Sequence, residues 1–315
     1  MTVTNTSKTM PSEAEVMGYF KALSNWGRWG AQDRLGTLNY ITPEKRVQAS
    51  SLVKKGLTVS CSRMMLPENT PDMNIPSQHF MTITGEGAPA KGRGAAGDYI
   101  GMNVHGTNIT HIDALCHIFW DGKSYNGIDA KKVTNRGKAT QGGIEVLEHG
   151  VVTRGVFLDI AKLRNQDWMK AGDTILPEDL ESAETAAKVK VQPGDALLYR
   201  TGWTKAREVQ GPPTDHHRPG LHAACLPWLH ERRVSLIAAD AATDVVPTGY
   251  EGTQVDLPIH SVGIAAMGLW ILDGANFEML AEVCHREKRY EFLFLMAPLR
   301  WRYATGSPVN PIAVL

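Results

Sequence analysis

At 315 residues the chain can bury a sizeable core, and its length alone allows one large domain or two. Its content of 43% apolar and 21% charged residues is that of an ordinary globular protein. Lysine plus arginine equals aspartate plus glutamate at 33 each, so the charge footprint of a nucleic-acid or anionic-membrane binder is missing, and neither partner is expected. The longest nearly apolar run, Ser261 to Leu272, falls far short of the ~20 residues that span a bilayer. Met1 to Lys8 holds no apolar stretch of a secretory leader. Cys61, Cys116, Cys225 and Cys284 lie scattered without a CxxC spacing, as reduced thiols do, and the expected compartment is cytoplasmic.

In chain order, residues 1–11 are polar and predict a disordered tail, with a single domain over 12–315. Ser12 and Glu15 form a capping-box pattern, and Val16, Phe20 and Leu23 share the face of the helix that follows. Trp26 to Asn39 is turn-rich, and Trp29 within it serves either as an aromatic plug or as a stacking surface for substrate. Thr42 as N-cap and Pro43 at the first helical position open a helix that Gly56 closes, and Leu57–Ser62 predicts a strand. Residues 66–100 read as a loop rich in Pro, Gly and Asn. Within it Gly92, Gly94 and Gly97 match GxGxxG, but with no strand before and no helical pattern after them a dinucleotide site is excluded. Strands follow at Thr153–Ile160, Ala196–Arg200 and Val234–Ala239, with helices from Pro177 and over Pro219–Arg232. Pro258 opens a helix through Met267, Gly268 ends it, and a strand over Leu269–Leu272 delivers Asp273. Pro308 and Pro311 make the tail an edge strand. Helices and strands alternate throughout with no linker to mark a second domain, so the class is α/β.

The densest chemistry lies between His105 and Asp121, where His105, His111, Asp113 and His117 cluster. Imidazole and carboxylate together are a ligand set for Zn, Mn or Fe. In a strand, His111 and Asp113 point to one face, and a tight bend brings His117 back beside them. His105 joins them only if the chain bends at Gly106. Far along the chain, His260 opens a helix and Asp273 ends the following strand, so the two can face each other. Cys116 adjoins His117, but nothing nearby would lower its thiol pKa enough for a nucleophile.

His111-x-Asp113-x-x-x-His117, preceded by His105-Gly-Thr, resembles the signature of the cyclase family of metal-dependent amidohydrolases, which includes bacterial kynurenine formamidases and isatin hydrolases. The Trp26-to-Asn39 segment, the Pro258-Ile-His260 segment and the tail resemble the same family, so the likeness covers nearly the whole chain. It implies a single α/β domain built on a mixed, partly barrel-like sheet flanked by helices. It also implies that His105, His111 and Asp113 hold Mn or Zn, with His117 as catalytic base or as ligand to a second ion. His105 sits eight residues before Asp113, where the short formamidases have six, which requires a two-residue bulge. The second site would be His117, His260 and Asp273. The family's glutamate position is Leu272 here, and the acid one residue later is a methylene shorter, so one tightly held ion is expected.

The activity this implies is metal-dependent hydrolysis of a small cyclic or aryl amide of isatin, lactam or formamide type, with His117 or His260 as the proton carrier. A lactone or ester hydrolase on the same site and a non-catalytic metal-binding protein are the competing readings. Trp29, Phe80, Phe119 and Trp120 are the candidates for stacking on a small-molecule substrate. The assembly is expected to be a homodimer or homotetramer.

Overall fold

A computed structural model describes residues 10–67, 69–73, 75–107 and 109–315. Of the expected tail, residues 1–9 lie outside this range. The core is a nine-stranded sheet. Its strands in chain order are β1 (Thr58–Ser60), β2 (His111–Asp113), β3 (Val151–Asp159), β4 (Ala196–Arg200), β5 (Leu236–Ala239), β6 (Trp270–Asp273), β7 (Glu291–Met296), β8 (Gly306–Pro308) and β9 (Ile312–Val314). From edge to edge the order is β1-β9-β7-β3-β4-β5-β6-β2-β8, curled into a half-barrel with helices packed against it. The four central strands, β3 to β6, run parallel, and both flanks are antiparallel. Parallel neighbours need crossovers, and the helices Pro177–Ala187, Cys225–Glu231 and the Pro258–Met267 segment supply them. With both faces covered, β4, β5 and β6 are buried at every residue, which explains their unbroken apolar runs.

The turn-rich segment before residue 40 closes the end of the sheet where β5 and β6 begin. Residues 261–267 form a π-helix whose last carbonyls lack partners within the helix. Asn25 Nδ2 donates to Met267 O at 2.8 Å, Asn25 N to Ala266 O at 3.0 Å and Trp26 Nε1 to Ala265 O at 2.7 Å. Thr37 Oγ1 donates to Ser235 O at 2.7 Å, and Thr37 N donates to Gly268 O at 2.9 Å. Asp33 accepts from the amides of Leu35 and Gly36 and from the Tyr125 hydroxyl, which fixes the turn. Gly36 has φ +55, and a Cβ there would overlap the Gly268 carbonyl oxygen. The segment is therefore a clamp of backbone and side-chain donors.

Several sequence expectations are sharpened or corrected. Ser12 and Glu15 form the capping box of the helix Glu13–Ala22, and Thr42 and Pro43 open the helix Pro43–Ser50. That helix ends six residues before Gly56, because Ser51 and Leu52 already turn. Residues 66–100 are not loop throughout. Gln78–Ile83 and Gly97–Gly101 pair as an antiparallel ribbon, and Gly97 opens a strand, so the glycine-rich stretch between them is a hairpin connection. Phe80, Met81, Ile83, Tyr99 and Ile100 on this ribbon are all exposed in the single chain. Gly220–Leu221 pairs with Thr174–Ile175, which delays the next helix to Cys225. The tail yields two strands: β8, with Pro308, lies at an edge, whereas β9 lies between β1 and β7. All four cysteines are free and buried, and among the described residues no helix is long and apolar enough to cross a membrane.

Gly36→Ala is expected to cost about 1–3 kcal/mol, since positive φ and overlap with Gly268 both oppose a methyl group. Gly30 has φ +93 but open space around it, so Gly30→Ala should lose less. Equal losses of melting temperature in the two variants would show that the clamp does not press on Gly268.

Candidate metal centre

The centre forms at the end of the sheet where the parallel strands finish. β2 pairs antiparallel with β6 in a register that sets His111 opposite Asp273. Residues directly opposite in such a pair share a face, so Asp273 stands beside His111 and Asp113. On the other side β8 sets Gly306 opposite Asp113, and a Cβ at Gly306 would lie 2.9 Å from His105 Cε1. The absence of a side chain there lets His105 approach. Two turns, closed by Gly106 N donating to Asn103 O and Ile109 N to Gly106 O, take up the extra length between His105 and β2.

His105, His111 and Asp113 each offer a ligand atom, and these atoms all lie within 4.8 Å of one another. His105 Nδ1 donates to Asp113 Oδ1 at 2.8 Å, and His111 Nε2 stands 3.6 Å from the same oxygen. The outer contacts suit a metal. His111 donates Nδ1–H to Ile109 O at 2.8 Å, which leaves the Nε2 lone pair facing the centre. His105 Nε2 is 2.9 Å from Thr305 Oγ1, a hydroxyl that serves either imidazole tautomer.

Three buried carboxylates converge here. Asp113 is 1% exposed, Asp244 0% and Asp273 6%, and His260 reaches all three. His260 Nδ1 donates to Asp244 Oδ2 at 2.6 Å, while Nε2 lies 3.2 Å from Asp273 Oδ2 and 3.6 Å from Asp113 Oδ2. Burial alone would lower the His260 pKa, but Asp273 and Asp244 hold it well above the usual histidine value. Burial would likewise raise the Asp113 carboxyl, yet the His105 hydrogen bond and the surrounding imidazoles hold it far below the usual range. One imidazolium against three carboxylates leaves about two negative charges in a buried pocket, and a divalent cation matches that deficit.

His117 is placed by a turn in which its N–H donates to Ala114 O. Its ring stacks on His105 with centroids 3.7 Å apart and planes 5° from parallel. Burial, followed by the neighbouring histidines, lowers its pKa to about 4 against the pull of Asp113, so it is neutral at pH 7. The structure brings His105, His111, Asp113, His117, His260 and Asp273 together in one cavity of about 180 Å3, which Ile118, Leu257 and Arg218 also line. As a second metal site the trio is less complete: His260 and Asp273 meet, while Asp273 Oδ1 is taken up by the Thr243 N–H and hydroxyl and His117 stacks on the first ligand.

The proposed aromatic residues fall elsewhere. Trp29 meets Tyr40 edge-on at 5.1 Å in the clamp, at the opposite end of the parallel strands. Trp120 stacks on Phe20 at 3.9 Å, Phe80 stacks on Tyr99 of the ribbon, and Phe119 is 40% exposed. None of the four lines the cavity. Sequence reasoning missed Asp244, whose oxygens accept from Ile259 N at 2.7 Å and His260 N at 3.1 Å as well as from the ring. Its signal was an acid just beyond the end of β5, where α/β sheets place their sites. It also missed Arg218. Burial pushes the Cys116 thiol up to about 12, which removes it as a nucleophile at neutral pH.

Fold and site together define an α/β half-barrel protein with a histidine–aspartate centre able to hold a metal. Residues 56–245 match the Cyclase family. A solved structure described as a novel cyclase is 34% identical, with a TM-score of 0.85, covering 94% of this chain and 99% of that one. The chain belongs to the cyclase family. An isatin hydrolase bound to the product analogue thioisatinate shares the fold at 18% identity and TM-score 0.58, covering 87% of this chain and 99% of that one. Isatin hydrolase A from Labrenzia aggregata, bound to benzyl benzoate, does so at 19% and 0.57, covering 84% and 94%. Among curated proteins no match was found.

Asp113→Asn should lose most of its metal while staying folded, because the amide removes the buried charge that faces both sets of histidines. Elemental analysis after dialysis checks this, and full occupancy would overturn the ligand assignment. In the metal-free protein the His117 shift also has a signed effect on stability. Below pH 6.5 the unfolded chain takes up a proton that the folded chain refuses until about pH 4, so stability falls as pH drops through that window. His260, shifted upward, acts only above pH 6.5, where stability falls as pH rises. His117→Gln should therefore flatten the acid-side decline in melting temperature, and an unchanged slope would place His117 in a solvated setting.

Proposed function

We propose that this chain is a metal-dependent hydrolase that cleaves the amide bond of a small cyclic or aryl amide, with one Mn or Zn ion held by His105, His111 and Asp113. The observation that carries the reading is a three-ligand set opening onto a cavity that also presents a neutral imidazole. A structural ion is usually enclosed by four protein ligands, whereas three leave room for water and substrate. That feature sets the reading apart from a purely metal-storing protein.

A divalent ion at this position supplies Lewis acidity for a carbonyl oxygen and lowers the pKa of water. The chain's own residues do the rest. His117, kept neutral by burial, accepts a proton at its free ring nitrogen as water attacks, then returns it to the leaving nitrogen. His260 is already protonated between Asp244 and Asp273, so it balances the buried carboxylates and is poorly suited to be the base. Thr305 and the Ile109 carbonyl hold the two ligand imidazoles in orientation. Ile118 and Leu257 line the apolar part of the cavity, whose volume of about 180 Å3 suits a small ring. Lactones and esters offer the same carbonyl, and the screen below distinguishes them.

The test is turnover by the Mn- or Zn-loaded protein of isatin, N-formylkynurenine, simple lactams and simple lactones. Hydrolysis of an amide is the expected result, and cleavage of lactones alone would replace the amide reading. His117→Ala should retain the metal and lose about 10²–10⁴ in kcat. Loss of metal together with activity, restored by added Mn, would make His117 a ligand instead.

A further inference from the structure

Arg218 stands in the wall of the metal-centre cavity. Its backbone is pinned there by paired hydrogen bonds with Val246, Arg218 N to Val246 O at 2.9 Å and Val246 N to Arg218 O at 3.0 Å. Its side chain is aimed by two carbonyls: Nε donates to Asp244 O and Nη1 to His216 O, each at 3.3 Å. The two fully buried arginines, Arg154 and Arg200, behave differently. Arg154 bonds the carboxylates of Asp195 and Glu291, and Arg200 those of Asp159 and Glu278. Among the described residues no carboxylate pairs with Arg218. With Nε and one Nη1 hydrogen spent on neutral carbonyls, the Nη1–Nη2 edge still offers two donors, which match a carboxylate in two parallel bonds.

The rest of the cavity wall sharpens the point. Asp113 and Asp273 make it hostile to an anion unless a cation receives the charge, and Arg218 is the one permanently charged cation on that wall among the described residues. We propose that Arg218 is the anion-recognising residue of this site, and that the substrate carries a carboxylate in addition to the carbonyl that is hydrolysed. This deepens the hydrolase reading and rests on it. It makes Arg218 a specificity residue, distinct from a group that stabilises charge developing at the reacting carbonyl. Its removal should weaken binding of anionic ligands and leave neutral ones of the same shape unaffected.

The probe is benzoate against its neutral counterpart benzamide. Binding is measured by NMR on the Zn-loaded full-length protein at neutral pH, where the ion offsets Asp113 and Asp273, with benzamide checked to survive the titration intact. Wild type should favour benzoate by about tenfold or more, the difference of one charge-assisted contact. Arg218→Gln should bring the two ligands level, and Arg218→Lys should restore part of the preference, an outcome a merely structural arginine would not give. Equal affinities in wild type overturn the proposal whatever the variants do. A preference retained in full by a folded Arg218→Gln overturns it as well, by placing the anion on the metal centre. A protein that binds benzoate through Arg218 yet hydrolyses nothing loses the hydrolase reading alone. One that opens neutral lactams without preferring benzoate loses this proposal alone.

Discussion

Burying several carboxylates at one end of a sheet is the constraint on which the rest of this structure depends. Asp113, Asp244 and Asp273 are almost fully withdrawn from water, and each must be compensated where it stands. The fold answers with geometry. Asp244 caps the helix start at Ile259 and His260 and holds the His260 ring; Thr243 satisfies one oxygen of Asp273; His105 satisfies one oxygen of Asp113. What remains uncompensated is directed into a single cavity, which is how a chain with no net charge comes to hold a strongly cation-seeking spot.

The two ends of the parallel strands carry opposite duties. At the starting end, Asn25, Trp26, Thr37 and Gly36 close against the π-helix and Gly268 with direct backbone bonds. At the finishing end, His111, Asp113 and Asp273 project from strands, which holds them more firmly in place than free loops would, while Asp244 lies on the long connection after β5. The clamp stabilises the crossover that carries His260, so remote residues contribute to the centre through the helix they anchor.

Two histidines of the centre diverge in charge for reasons visible around them. His117 lies against another imidazole under apolar cover and stays neutral, while His260 lies between two carboxylates and stays charged. Environments that push neighbouring titratable groups apart are how one site offers both a proton acceptor and a fixed positive charge.

The local order of residues was enough to put His111 and Asp113 on one face, because they alternate on one strand and share a side by backbone geometry alone. The capping box at Ser12, the Thr42–Pro43 helix start and the turn into β4 were legible for the same reason: each is set by neighbours within a few residues. The α/β class followed from alternating patterns. Contacts distant in sequence were not legible. Trp29 and Trp120 look like substrate platforms until Tyr40 and Phe20 are seen to claim them. The ribbon at Gln78–Ile83 hid in a Gly-rich stretch because its side chains are exposed on both faces and carry no alternation. Asp244 and Arg218 belong to no motif; they gain meaning only when the ends of β5 and β6 are brought beside β2. Spacing along a chain fixes which side chains share a strand face or a helical turn, whereas which strands lie next to each other, and so which charges must answer one another, is decided only by how the whole sheet packs.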